Sequence, residues 1–295
     1  MKVYQNTLLI VFAFFAVYIC WGATYILNKV IVEEIPPFYL AAFRFITAGI
    51  SLLLLAKLIG VSLAISKKQL LHCTVAGFLF LTYGNGVLVW ALKYVDSGLA
   101  ALEVASQPLV VLILMRILYR SKIKPMSLIG IAMGIIGMYI LVSQDRLTQQ
   151  EGTWIPIFMI FTCVISWSYG SLYVAKVELP SNFLINTGYQ MLLGGGGLLL
   201  TSFFFGESWT SPLIWKQSIA WAMFGLITLG SIIAFTSFNY LLKNVSAEKV
   251  ATAAYVNPVI ALFLGWYFLN EQITMQSSVA AFVLLTGVYF VNKSK

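Results

Sequence analysis

Apolar residues run along this chain in long blocks separated by short polar breaks. A membrane-crossing helix takes about 20 mostly apolar residues. Ten blocks of about that length can be traced, at 7–28, 38–58, 70–91, 97–117, 126–143, 155–175, 184–205, 217–241, 247–268 and 274–291. No break is long enough to hold a soluble domain. The longest, Ser143 to Trp154, falls midway. The pattern predicts an all-α membrane protein with ten transmembrane helices.

The blocks are one unit written twice. Leu92 to Tyr139 returns without a gap as Leu242 to Tyr289, with 11 of 48 aligned positions identical, among them Pro108/Pro258 and Gly137/Gly287. Upstream the offset is near 146: Trp21 falls on Trp167, and Phe43-Arg44 on Tyr189-Gln190. Units of five crossings each, 1–147 and 148–295, would sit upside down relative to one another. Inverted five-helix repeats are an architecture of transporters.

Composition agrees with a lipid solvent. Hydrophobic residues make up 60% and charged residues 9%, with mean hydropathy +0.91. The net charge of +8 does not point to nucleic acid, because the basic residues sit mostly in loops between apolar blocks. There they orient the chain. With the N-terminus inside, 13 Lys and Arg fall on the cytoplasmic side and 4 (Lys29, Lys93, Arg146, Lys216) outside, so both termini are expected in the cytoplasm. The first block reads as a retained span rather than a cleaved leader. The chain's Asn-x-Ser sequences, Asn244-Val245-Ser246 and Asn292-Lys293-Ser294, fall on the cytoplasmic side in this orientation and carry no weight as glycosylation acceptors. Cys20, Cys73 and Cys163 lie in apolar blocks without metal or disulfide spacing, and no cofactor or metal is expected.

Particular residues sharpen the picture. Trp21-Gly22-Ala23-Thr24 lies near the end of the first block, Pro36-Pro37-Phe38 leads into Ala42-Phe43-Arg44-Phe45, Pro108 and Pro258 sit inside blocks four and nine, and Asn270-Glu271 closes block nine. Over essentially the whole chain this resembles the EamA family of the drug/metabolite transporter superfamily. The resemblance implies a ten-helix permease of small metabolites, in the bacterial inner membrane and more often monomeric. Two positions depart from the family pattern. Arg120-Ser121 stands for the Gly-Glu of the first half, and Glu103 interrupts an apolar helix.

Arg44 and Glu103 each lie about six residues, or roughly 9 Å, into their helices from the same side. A charge at that depth costs several kcal/mol unless paired or hydrated. The two are expected to form a pair or to end one hydrated cavity; the alternative is an arginine reaching back to the interface. Thr82-Tyr83-Gly84-Asn85-Gly86 places two glycines in block three, which reads as a break or a close-packing face. Gln107-Pro108 and Asn257-Pro258 put an amide beside a kink at equivalent positions, a candidate pair of gates. Trp21, Tyr25, Trp90, Trp167, Tyr189, Asn239 and Tyr255 complete the candidate cavity lining. Gly194 to Gly197 and Gly130-xxx-Gly134 read as close-packing surfaces, the latter within the chain or between copies. His72, the only histidine, reads as interfacial rather than as a proton relay.

No HExxH, Walker or GxSxG sequence is present. Transport would therefore run on a gradient, with protons as a candidate coupling ion. The expected function is export of amino acids or related amphipathic or aromatic solutes by alternating access. The competing readings are proton-coupled efflux of cationic toxins and, in a different class, a membrane-embedded enzyme, which the single histidine and few acids disfavour.

Overall fold

The computed structural model describes residues 2–121, 125–143 and 154–293, and among these no strand occurs. The expected inter-repeat linker, with Arg146, lies outside the described residues. The described helices group into ten elements. They are α1 (Lys2–Val32), α2 (Pro37–Leu58), α3 (Lys67–Ala91), α4 (Ser97–Tyr119), α5 (Pro125–Val142), α6 (Trp154–Val174), α7 (Phe183–Phe204) and α8 (Gln217–Asn244). In α9, a turn at Ala247–Ala251 runs through Thr252–Tyr255 into Asn257–Leu269, and α10 is Met275–Lys293. By length and composition α1, α2, α3, α4, α6 and α8 can each cross a membrane. Apolar stretches in α5, α9 and α10 are shorter. In α7, Asn186, Gln190 and five glycines dilute the apolar character.

Local sequence sets the helix ends. Ser66 and Gln69 form a reciprocal capping box at the start of α3. Asn182 accepts from Leu184 and Ile185 at the start of α7. Arg120 and Asn270 stand at equivalent positions of the two repeats, and both adopt left-handed conformations (φ 53° and 55°) that end α4 and α9.

Repeat-equivalent helices pack against each other and run in opposite directions. On α2 and α7, Ile46 meets Gly195, Gly49 meets Leu192, and Leu53 meets Gly188. The register falls on one helix as it climbs on the other. On α5 and α10, Gly137 meets Leu284 while Gly287 meets Gly130 and Gly134. Antiparallel contact between equivalents is what a two-fold inversion of one unit produces. The Gly130-xxx-Gly134 face is thus used within the chain.

Alanine and aromatic side chains fill the centre, with Phe45, Phe80, Phe235 and Phe238 almost fully buried. Large apolar residues such as Phe12, Phe204 and Phe268 are exposed on the outside, as a lipid solvent allows.

The glycine run on α7 yields a graded prediction. A Cβ at Gly194 would stand 2.7 Å from the Gly77 carbonyl, and one at Gly195 2.9 Å from the Ile46 amide, whereas Gly196 has open space. Gly194→Ala is expected to lower the thermal unfolding midpoint in detergent, at a cost of about 1–3 kcal/mol for overpacking. Gly196→Ala should be neutral, or stabilise by up to about 1 kcal/mol through helix propensity. Equal effects of the two substitutions would refute the packing assignment.

Candidate functional site

Two wide-turned π stretches occupy matching places in the repeats, Phe78–Asn85 in α3 and Leu226–Phe235 in α8. Both contain Thr-x-Gly followed by a small polar residue: Thr82-Tyr83-Gly84-Asn85 and Thr228-Leu229-Gly230-Ser231. Wider turns disturb the regular backbone ladder, and side chains of the opposite repeat reach carbonyls in each stretch. The Trp21 indole Nε1 on α1 donates to the Gly230 carbonyl at 3.1 Å. Ser166 Oγ on α6 donates to the Leu79 carbonyl at 2.8 Å. Trp21 and its repeat partner Trp167 meet edge to face at 5.5 Å, with Phe238 against both.

Around this aromatic pair lies a narrow cavity of about 80 Å³ bounded by α1, α2, α3, α4, α6, α8 and α9. Of the expected lining residues, Trp21, Tyr25, Arg44, Gly84, Asn85, Gln107, Trp167 and Asn257 border it, and Thr24 and Asn28 join them. Arg44 is 2% exposed. Its Nε donates to Ser231 Oγ at 2.7 Å, and its guanidinium carbon lies 4.6 Å from the centre of the Phe45 ring. Gly230 makes room for it, since a Cβ there would approach Nη2 to 2.8 Å. Arg44 Nη1 and the Oδ1 atoms of Asn28, Asn85 and Asn257 are buried without a protein partner. One cavity thus collects a cationic donor, three amide acceptors and aromatic surface.

Gln107 and Asn257 owe their positions to breaks in α4 and α9. A turn at Ala105–Ser106 splits Ser97–Val104 from Gln107–Tyr119. Pro108 and Pro258 stand in the first turns of the second segments. There a missing N–H removes no intrahelical bond. The prolines therefore begin helices rather than kink continuous ones.

Other expected residues lie elsewhere. Tyr83 donates to Thr162 Oγ1 at 2.9 Å between α3 and α6, and Trp90 packs on Tyr94. Gly86 accommodates Leu198. Tyr189 donates to the Leu63 carbonyl at 3.0 Å, and Asn239 Nδ2 to Thr187 Oγ1 at 3.3 Å. The Tyr255 side chain is outside the described atoms. Gln190, the repeat partner of Arg44, is fully buried and donates to Asn186 Oδ1 at 2.8 Å. His72 Nδ1 lies 2.6 Å from the Tyr173 hydroxyl.

The Arg44–Glu103 couple is not formed. Glu103 is 1% exposed, neither carboxylate oxygen has a partner, and it borders a different cavity between α4, α5 and α6. Equal depth left helix rotation undetermined. On α4 it is Val104 and Gln107 that reach the central cavity.

Two carboxylates that sequence reasoning did not single out as functional cap helix starts across the repeats. Glu271, after α9, accepts from the Ser97 amide (2.8 Å), Ser97 Oγ (2.9 Å) and the Gly98 amide (3.1 Å) at the start of α4. Glu207, after α7, accepts from the Phe38 and Tyr39 amides (3.1 and 2.7 Å) at the start of α2, and from Ser202 Oγ. Each places negative charge on the positive end of a helix from the other repeat. Ser121, the equivalent of Glu271 in the first repeat, cannot supply such a charge. The cross-repeat caps are therefore one-sided.

A central cavity between inverted repeats is suited to moving a solute. The comparisons agree. Over 284 residues the chain is 35% identical to the inner membrane transporter YedA of Escherichia coli (strain K12), covering 96% of this chain and 90% of that protein. It is 24% identical to the transporter YoaV of Bacillus subtilis (strain 168), over 93% of each chain. It is 26% identical to a chloroplastic WAT1-related protein of Arabidopsis thaliana, covering 92% of this chain and 66% of that one. A solved structure at 20% identity superposes with a TM-score of 0.70 over 95% of this chain and 94% of the other, which shows the shared fold. The profile of the EamA-like transporter family matches twice, at residues 8–143 and 154–293. The chain is a membrane transporter and belongs to the EamA-like transporter family.

Proposed function

We propose that this transporter exports amino acids or closely related amphipathic solutes across the bacterial inner membrane by alternating access, as a monomer with both termini in the cytoplasm. The observation that carries the reading is the unpartnered polar set on the central cavity. Arg44 Nη1 can donate to a carboxylate. The Asn28, Asn85 and Asn257 carbonyls can accept from an ammonium. The Trp21 and Trp167 rings suit its apolar part. A volume of about 80 Å³ is small for such a solute, so binding goes with a widening of the gap between repeats.

The loop charges put the Glu207 and Glu271 caps at the periplasmic end. In alternating access these caps would hold that end shut and release as the repeats rock. Glu103 has no part in this reading, because its cavity is separate.

A flux measurement tests the substrate assignment. In proteoliposomes preloaded with unlabelled amino acids, counterflow of at least one labelled amino acid is expected. Arg44→Gln should lower the rate about tenfold or more, as for loss of a buried charge-assisted bond. Glu103→Gln should stay within about twofold, since Glu103 does not line the central cavity. No counterflow with any amino acid, or full activity of Arg44→Gln, would overturn the assignment.

The gate assignment has its own test. With Cys20, Cys73 and Cys163 replaced by Ala, a cysteine is placed at Asn28 on the cavity. Its labelling by a membrane-impermeant maleimide added outside intact cells is then measured. A lost cap is worth about 1 kcal/mol. Glu271→Gln is therefore expected to raise the labelling rate about fivefold. Unchanged labelling in both Glu271→Gln and Glu207→Gln would remove these residues from the gate.

A further inference from the structure

We infer that Ser231 sets the preference of the central cavity for a carboxylate over an amide. It acts through Arg44, as a positioning residue, and the inference rests on the amino-acid reading above. Arg44 belongs to α2 in the first repeat and Ser231 to α8 in the second. The Ser231 hydroxyl is fully buried and accepts from Arg44 Nε at 2.7 Å. Gly230 lies beside Nη2, where a Cβ would stand 2.8 Å away. Two consecutive residues of α8 thus lie against the Nε and Nη2 atoms of the planar guanidinium. Nη1 is left without a protein partner. The Phe45 ring, 4.6 Å from the guanidinium carbon, packs beside it.

Satisfying a buried cation does not by itself account for this arrangement. One neutral hydroxyl offsets little of the cost of burying a charge, and a site built only to neutralise Arg44 would not leave Nη1 unpaired. Ser231 stands here because of the π stretch Leu226–Phe235, whose Gly230 carbonyl accepts from the Trp21 indole. The other repeat has no counterpart: Gln190, equivalent to Arg44, donates within its own helix to Asn186. One cation is therefore aimed, and it is aimed across the repeat boundary. A carboxylate oxygen meeting a guanidinium held in one direction gains a bond charged on both sides, whereas an amide oxygen gains one charged only on the arginine side. An arginine released from Ser231 keeps its charge but loses the direction.

The test measures initial uptake of labelled phenylalanine, leucine and alanine by proteoliposomes, each with its own amide as the competitor lacking the carboxylate. Ser231→Ala is expected to raise KM about fivefold with the maximal rate within about twofold, the pattern of lost binding rather than lost folding. Preference for the acid over the amide should fall by a similar factor. Ser231→Thr, which keeps the hydroxyl, should stay within about twofold of wild type in both. A spectroscopic readout accompanies the rates. The arginines of the chain are Arg44, Arg116, Arg120 and Arg146, so arginine labelled with nitrogen-15 gives a simple Nε–H spectrum. The signal missing from Arg44→Gln belongs to Arg44, and it should move upfield in Ser231→Ala as the hydrogen bond is lost. The inference is overturned if Ser231→Ala keeps the wild-type KM and acid preference, or if the Arg44 signal does not move. A wild-type protein that carries none of the three amino acids removes the amino-acid reading and this inference with it. A wild-type protein that carries them and a Ser231→Ala that matches it overturn this inference alone.

Discussion

Inside hydrocarbon a peptide group has no water to bond, so every N–H and C=O must find its partner within the protein. A broken helix is tolerable there only where protein or a polar cavity covers the break. This chain carries breaks in α3, α4, α8 and α9, and all four helices border the central cavity. Unbroken α2 and α7 pack on each other at the repeat interface. The carbonyls loosened by the π stretches are met by Trp21 and Ser166 from the opposite repeat. The irregular backbone and the cavity are therefore two descriptions of one feature, and the repeats are tied where each is least regular.

Duplication supplies the frame, and departures from it supply the chemistry. Trp21 and Trp167 are equivalent and meet at the centre. Arg44 and Gln190 are equivalent in sequence, yet only Arg44 enters the cavity, anchored on Ser231. Glu271 has no acidic counterpart at Ser121. A perfectly symmetric pair of repeats would have equal gates and a neutral centre. Here charge is confined to one half of the cavity, and the carboxylate caps to one end of the bundle. An asymmetric energy between the two faces is then built into the ground state, which a transporter needs if one closed end is to be favoured until a solute binds.

The fold was largely legible because its signals are periodic and local. Apolar blocks, the 150-residue return and the paired prolines all survive without knowledge of helix rotation. Part of the site was legible for the same reason: Gly84-Asn85, Gln107 and Asn257 stand beside breaks, and breaks are written in glycine and proline. Rotation is where the reading failed. Depth placed Arg44 and Glu103 side by side, but Glu103 shares one face of α4 with Ser106, Val110 and Ile113 while Val104 and Gln107 occupy another, so the base and the acid border different cavities. Ser231 could have been found by carrying Asn85 forward at the 146-residue offset. The caps from Glu207 and Glu271 join residues 168 to 174 positions apart, and no local pattern announces such a contact.

Charge placement also bears on how the two cavities can coexist. Arg44 has a hydroxyl partner, a ring beneath it and a cavity in front of it, so its charge is tolerated by polar contact. Glu103 has no hydrogen-bond partner and borders mostly apolar walls. If the acid had evolved to balance the arginine, the cheapest solution would have been direct contact, because an ion pair with its hydrogen bonds made offsets much of the cost of burying either charge alone. The chain instead keeps them in separate compartments, with α6 bordering both.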